Sequence, residues 1–230
     1  MTRFKYLSYI LEDKIPVYGN KSAFITIEPK KSMTRGDSCN TYRFSMENHW
    51  GTHVDAPAHF FKAAKRVSDY SAESWVFENP CVIKLSLKRG EVIGVNRIKA
   101  RVNKDYDLLL LKTGFGRLRG ADVYSLDNPA VSPEVGRWLR KERPNIRAIG
   151  FDFISIGSPK NRSLAGESHR AFLNPRSGGE PITIIEDMNL SPDLTGLKSV
   201  VVAPLLIRAL DSAPCAVLGI FNKKSKRRNI

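Results

Sequence analysis

The 230-residue sequence predicts an α/β or α+β protein with a sheet-rich core. Three observations carry this. Short apolar, β-branched runs recur between turn-forming residues, the pattern of strands in a sheet. Two of these runs, Tyr106–Lys112 and Ile146–Phe153, flank a segment at helical spacing, which makes a strand–helix–strand unit. Internal repeats and a glycine-rich phosphate loop are both absent from the sequence.

Taken in order, Tyr6–Ile10 reads as a strand, Val17-Tyr18-Gly19 as a turn, and Ala23–Glu28 as an alternating strand, punctuated by Pro16, Gly19 and Asn20. Pro80–Leu87 alternates as a half-buried strand. Tyr106–Lys112 is an apolar run that ends at Thr113-Gly114-Phe115-Gly116, which favours a buried strand closing in a turn. Ser132-Pro133-Glu134 supplies an N-cap, a proline at the first helical position and an acidic first turn. Val135, Trp138 and Leu139 follow at helical spacing, and Pro144 stops the helix. A second helix is expected from near Glu167 to about Leu173, with further strands at Thr183–Glu186 and Val200–Leu206.

The length favours one domain over residues 1–222 followed by a basic tail, 223–230. Hydrophobic residues at 42% against 26% charged allow a sizeable core and exclude global disorder. The longest apolar stretches, Val200–Ile207 and Ala213–Phe221, fall short of the ~20 residues of a membrane span, so no membrane partner is expected. Glu12 and Asp13 arrive too early for a signal sequence, which makes the cytoplasm the expected compartment. Cys39, Cys81 and Cys215 are far apart and odd in number, which suggests neither a disulfide framework nor a thiolate metal site. The net charge is +14, of which Lys223, Lys224, Lys226, Arg227 and Arg228 supply 5. Such a balance suits nucleic acid, anionic lipid or an anionic substrate. With no nucleic-acid-binding motif beside it, the expectation is a solvated surface and no nucleic-acid partner.

The informative segment is Asn48-His49-Trp50-Gly51-Thr52-His53-Val54-Asp55-Ala56-Pro57-Ala58-His59-Phe60. It holds three of the four histidines in the chain. His49, His53, Asp55 and His59 all occupy odd positions, so an extended chain would put them on one face. Pro57 and Gly51 argue against a helix there. Imidazoles plus a carboxylate on one face form a nitrogen/oxygen site for zinc, manganese or a similar divalent ion. Gly51 would let backbone and metal or substrate approach closely. A packed, hydrogen-bonded core is the competing reading. It would have to satisfy every one of these polar groups, at roughly 1–3 kcal/mol for each one left unpaired.

This segment resembles the His-x-Gly-Thr-His-x-Asp-x-Pro-x-His signature of the cyclase family, which includes bacterial arylformamidases (kynurenine formamidases) and isatin hydrolases. The likeness continues through Leu7-Ser8-Tyr9, Ile15-Pro16-Val17-Tyr18, Leu111-Lys112-Thr113-Gly114-Phe115, Gly150-Phe151-Asp152 with Ser155, His169-Arg170-Ala171-Phe172-Leu173 and Ile184-Ile185-Glu186-Asp187-Met188-Asn189-Leu190. It implies a swivelling β/β/α-type fold with a mixed sheet, a small barrel-like element and flanking helices. It implies that His49, His53 and Asp55 hold one metal and that Asp55, His169 and Glu186 hold or share a second, one or two ions per chain, zinc ahead of manganese. It makes His59 the acid/base, with a ligand role left open. Without the resemblance, His169 is only the remaining histidine, and Glu186 is not separable from Asp187. His169 and Glu186 stand 17 positions apart, more than the family pattern leads one to expect. The excess lies in a loop at 174–181 that could remodel the pocket rim.

The implied activity is hydrolysis of an amide, formamide or lactam bond, with metal-activated water as nucleophile and His59 as proton donor to the leaving amine. An arylformamidase acting on N-formylkynurenine is the leading version. An isatin-hydrolase-like or cyclising enzyme would use the same residues. A basic binding module with structural metals is the non-enzymatic alternative, disfavoured by a histidine more than a structural site requires. Trp50, Phe60, Phe61 and Phe153 are candidates to line an aromatic-accepting pocket, and Arg170 and Arg176 candidates to steer a substrate carboxylate. Family members commonly form homo-oligomers, so a homodimer is expected.

Overall fold

The computed structural model describes residues 2–176 and 178–222, so the expected basic tail 223–230 lies outside the described residues. The strands are β1 (Arg3–Tyr6), β2 (Lys14–Val17), β3 (Asn20–Phe24), β4 (Thr26–Lys31), β5 (Thr41–Ser45), β6 (His53–Asp55), β7 (Val76–Phe77), β8 (Pro80–Lys84), β9 (Val92–Ile93), β10 (Leu108–Lys112), β11 (Ala130–Val131), β12 (Ala148–Phe151), β13 (Thr183–Glu186), β14 (Leu197–Pro204) and β15 (Ser212–Phe221). The α-helices are α1 (Asp122–Leu126), α2 (Pro133–Glu142) and α3 (Arg162–Leu173).

Nine strands form one mixed sheet in the order β7-β14-β15-β6-β13-β12-β10-β8, with β1 added against β15. Its two ends, β7 and β8, are separated in the chain only by Glu78 and Asn79, so the sheet must curl until its edges nearly meet. This is the mixed sheet with a barrel-like element and flanking helices that the family resemblance implies. β8, β10, β12 and β13 run parallel, and β6 joins β13 to β15 by antiparallel pairing on both sides.

β10 shows why the apolar run carries no alternation. Leu109 and Leu111 enter the core beneath α2 and α3, whereas Leu108 and Leu110 enter the core enclosed by the curled sheet. Both faces are buried, as in parallel strands covered on both sides. The α2 cap is as expected: the Ser132 side chain accepts from the Glu134 amide, and Pro133 opens the helix.

Among the boundaries that differ from expectation, Pro80–Leu87 stops at Lys84 and Val200–Leu206 is shifted to Leu197–Pro204, and three others have a local cause. The first strand ends at Tyr6 rather than starting there, because Tyr9 donates its amide to Thr52 Oγ1 and the chain leaves the ladder. The stretch 23–28 is split between β3 and β4, since the Ile25 amide bonds to the Asp13 carbonyl, and β4 is exposed on both faces. The helix expected from near Glu167 starts at Arg162, where the Asn161 side chain accepts from the Leu164 amide after a turn opened by Pro159. The 174–181 loop packs against α2: Arg140 donates to the carbonyls of Ala171, Asn174, Gly179 and Glu180. Among the described residues none of this loop lines the cavity described next.

Candidate metal centre

His53, Asp55 and Glu186 come together through strand register. Glu186 lies directly opposite His53 across the β6–β13 pairing, and Asp55 follows His53 by two positions on the same face. His49 and His59 arrive by another route, which corrects the single extended face expected for 49–59. Only 53–55 is strand; Gly51 has φ +69° and reverses the chain, while Pro57–His59 forms a 3₁₀ turn with Pro57 at its first position. Gly51 is required for its left-handed backbone and because a Cβ there would lie 2.3 Å from Leu11 Cδ2, rather than for metal approach. His169 reaches the cluster from α3, which sits against Gly157 so closely that a Cβ there would fall 2.3 Å from the Ala165 Cβ.

The donor atoms converge tightly. His49 Nδ1 lies 3.1 Å from Asp55 Oδ1, and His53 Nε2 lies 3.6 Å from Asp55 Oδ1 and 3.4 Å from Glu186 Oε2. His169 Nε2 lies 3.8 Å from Asp55 Oδ2 and 3.6 Å from Glu186 Oε1. Among the described residues two groups have mutual spacings within 4.8 Å, His49–Asp55–His59 and His53–Asp55–Glu186, with Asp55 common to both. The far ring nitrogens are tied back: His53 Nδ1 to the Gly51 carbonyl, His169 Nδ1 to the Ala165 carbonyl, and His59 Nδ1 to Asp211 Oδ2, each at 2.8 Å. Such bonds select the tautomer that presents Nε2 to a ligand.

Asp55 is fully buried, and its carboxylate oxygens, like His53 Nε2, face only the other members of the cluster and make no well-formed hydrogen bond. Stranding buried polar atoms this way is costly unless something else satisfies them. A divalent cation does so, and imidazole nitrogens with carboxylate oxygens are donors that zinc and manganese accept. The residues therefore fit a metal ion. Their charges are tightly coupled. Burial opposes ionisation of Asp55, but the neighbouring imidazoles of His49 and His53 outweigh it and hold the carboxyl well below the usual range. Burial also lowers His53, yet Glu186 and Asp55 reverse this and raise it to about 9.

The cluster forms one wall of a cavity of about 420 Å³, lined further by Tyr18, Phe60, Ile154, Ser155, Arg162, Ala165 and Gly166. All six predicted site residues from His49 to Glu186 line it. The neighbour that the sequence could not separate from Glu186, Asp187, faces elsewhere: its φ is +49°, and it is held by Arg119 and by the Tyr124 hydroxyl.

Of the predicted lining residues, Phe60 is in place, stacked on His169 with ring centroids 4.7 Å apart. Phe153 is a correction: it is fully buried in the core, stacked on Phe151, and the next two residues face the cavity instead. Trp50 is another, because the reversal at Gly51 turns it onto Ile15, Val17 and Ile25. Arg170 stacks over Phe60 at 5.2 Å from outside and does not line the cavity. Phe61 packs against the helix-side core, and Arg176 is an exposed loop residue.

Sequence reasoning missed Asp211, Tyr18 and Arg162. Asp211 is 152 positions from His59, and only the Ser212–Asp55 register brings it near. The capping side chain of Asn161, which starts α3 at Arg162, was the one local signal available.

The family model for cyclases matches residues 6–158, more than half of the chain, and the chain belongs to the cyclase family. His169 and Glu186 lie beyond that match. The chain is 26% identical over 209 residues to a kynurenine formamidase of Bacillus cereus, covering 90% of this chain and 92% of the relative. It is likewise 26% identical over 174 residues to a kynurenine formamidase of Geobacillus thermodenitrificans, covering 75% and 79%. Isatin hydrolase A from Labrenzia aggregata superposes with a TM-score of 0.77 at 22% identity, over 96% of this chain and 94% of that one. Isatin hydrolase A from Ralstonia solanacearum gives 0.76 at 18%, over 96% and 92%.

Proposed function

We propose that the chain is a divalent-metal-dependent hydrolase of a carbon–nitrogen acyl bond, arylformamidase-like, with N-formylkynurenine as the leading substrate. One observation carries the reading: buried ligand atoms of Asp55 and His53, crowded together without a well-formed hydrogen bond, face a cavity large enough for a small molecule. The relatives named kynurenine formamidase support the choice of bond. His49, His53, Asp55, His169 and Glu186 would hold one or two ions, zinc or manganese. A bound ion supplies Lewis acidity, polarising an acyl carbonyl and acidifying water.

The chain's own residues do the rest. Phe60, Ile154 and Ala165 present apolar surface that excludes bulk water from the acyl group. His59, lining the cavity with Nδ1 fixed on Asp211, has Nε2 free to deliver a proton to the leaving nitrogen. Asp211 orients that ring through its bond to Nδ1, as a carboxylate does beside a general-base histidine. Water adds across the bond: oxygen and one hydrogen go to the formyl carbon, and the other hydrogen goes to nitrogen, giving formate and the free amine.

N-formylkynurenine turnover that is abolished by chelator, restored by zinc or manganese and lost in His53→Ala would support this reading. Turnover indifferent to both chelator and His53→Ala would overturn it. The homodimer belongs to the same reading. It is supported by the β4–β5 hairpin, whose Ile27, Tyr42 and Phe44 stand more than half exposed, as a surface meant for a second copy would.

A further inference from the structure

Helix α3 presents Arg162, Ala165, Gly166 and His169 to the cavity. These positions are spaced i, i+3, i+4, i+7, a single stripe along one face of the helix. His169 closes the stripe at the metal centre and Arg162 opens it two turns away, about 10 Å along the axis. Between them Ala165 and Gly166 leave a smooth strip of wall, and Phe60 and Ile154 add apolar surface.

Arg162 is placed against local preference. It is the first residue of a twelve-residue helix, where the helix dipole disfavours a cation, and no acidic residue accompanies it in the first turn. Among the described residues it makes no ion pair, and it is the only lysine or arginine lining this cavity. A local rule broken without structural compensation marks a functional position. Tyr18 lines the same cavity. Once an ion offsets the Asp55 and Glu186 carboxylates, Arg162 leaves the cavity electropositive.

We propose that Arg162 determines specificity by taking the carboxylate of a substrate whose acyl carbon–nitrogen bond lies at the metal centre, across an apolar spacer matched to the Ala165–Gly166 strip. The assignment rests on the hydrolase reading above and narrows it to anionic acyl amides. Guanidinium suits this role because its planar donor fork matches a carboxylate.

The test compares two probes on the zinc-reconstituted protein, 4-(4-formamidophenyl)butanoate and the uncharged 4-butylformanilide. Wild type should favour the carboxylate by 10- to 100-fold in kcat/KM. That ratio should collapse towards one in Arg162→Leu, remain partly in Arg162→Lys and reverse in Arg162→Glu. Binding of 4-(4-aminophenyl)butanoate against 4-butylaniline, measured by calorimetry, gives a second readout that needs no turnover. An unchanged preference in Arg162→Leu by either readout, or no preference in wild type, overturns the proposal. If neither formamide is cleaved, the hydrolase reading loses its formamide form, and the calorimetric preference alone decides Arg162. Retention of the wild-type melting temperature in Arg162→Lys separates loss of recognition from loss of fold.

Discussion

His59 and Asp211 are the pair on which proton delivery turns, and they differ in what their removal should do. His59→Ala should lower kcat by roughly 10²–10⁴-fold, the usual worth of a general acid or base. The bound ion should stay, because His53, Asp55, His169 and Glu186 remain. Metal content and kcat measured on the same preparation check this, and loss of the ion would make His59 a ligand instead. Asp211→Asn keeps the side chain's shape but weakens its hold on the His59 Nδ1–H, so kcat should fall while metal content does not. His49, His53, Asp55 and His59 were legible in the sequence because four ligand-type residues crowd into eleven positions. Their geometry was not. The extended chain that seemed to align them is interrupted by the left-handed Gly51 and by the Pro57 turn, and it is the resulting bends that bring the side chains together. Phe153 and Trp50 misled because an aromatic beside a site motif does not reveal which side of the backbone it takes.

At the scale of elements, α3 and the turn after β13 hold the outer half of the centre. Gly157→Ala would set a Cβ against the Ala165 backbone, 2.4 Å from its Cα, so α3 must move and His169 with it. Overpacking of this kind costs about 1–3 kcal/mol. The variant should melt earlier and bind zinc more weakly in calorimetry, and a wild-type zinc affinity would show that α3 is not positioned by this contact. On the other flank, Arg119 makes a two-point ion pair with the fully buried Asp187, the residue directly after Glu186. Arg119→Met leaves that carboxylate with the Tyr124 hydroxyl but no counter-charge, and breaking such a pair costs roughly 3–5 kcal/mol. Urea unfolding should register the loss. The helix ends explain what the sequence could and could not reveal here. Ser132-Pro133-Glu134 fixed the start of α2 locally, whereas the start of α3 depends on Asn161, which no acidic first turn accompanies.

For the whole molecule, the curled sheet buries side chains on both faces, which is why the parallel strands could be read as apolar runs but their order could not. β6 pairs with strands about 130 and 160 positions downstream, separations that no periodicity records. Burial in this architecture also sets the alkaline limit of the fold. Burial and the charge of Asp187 push Tyr9 up to about 12, and the same two causes raise Tyr124 well above the usual tyrosine range. A folded pKa above the unfolded value gives stability that is complete below about pH 10 and is lost as pH rises towards 12. The urea midpoint should therefore hold to about pH 9.5 and fall steeply above it, less steeply in Tyr9→Phe. A midpoint unchanged to pH 11.5 would contradict this. The proposed homodimer makes a separate forecast: a sedimentation profile of two chains that reverts towards one in Phe44→Lys.

The central claim is that Asp55 anchors a divalent ion at this cavity. The most direct measurement is zinc titration of the chelator-stripped protein by calorimetry, with Asp55→Ala alongside. One or two zinc ions should bind each wild-type chain, and binding in the variant should be at least a hundredfold weaker. Equal binding in the two proteins, or none in either, would contradict it.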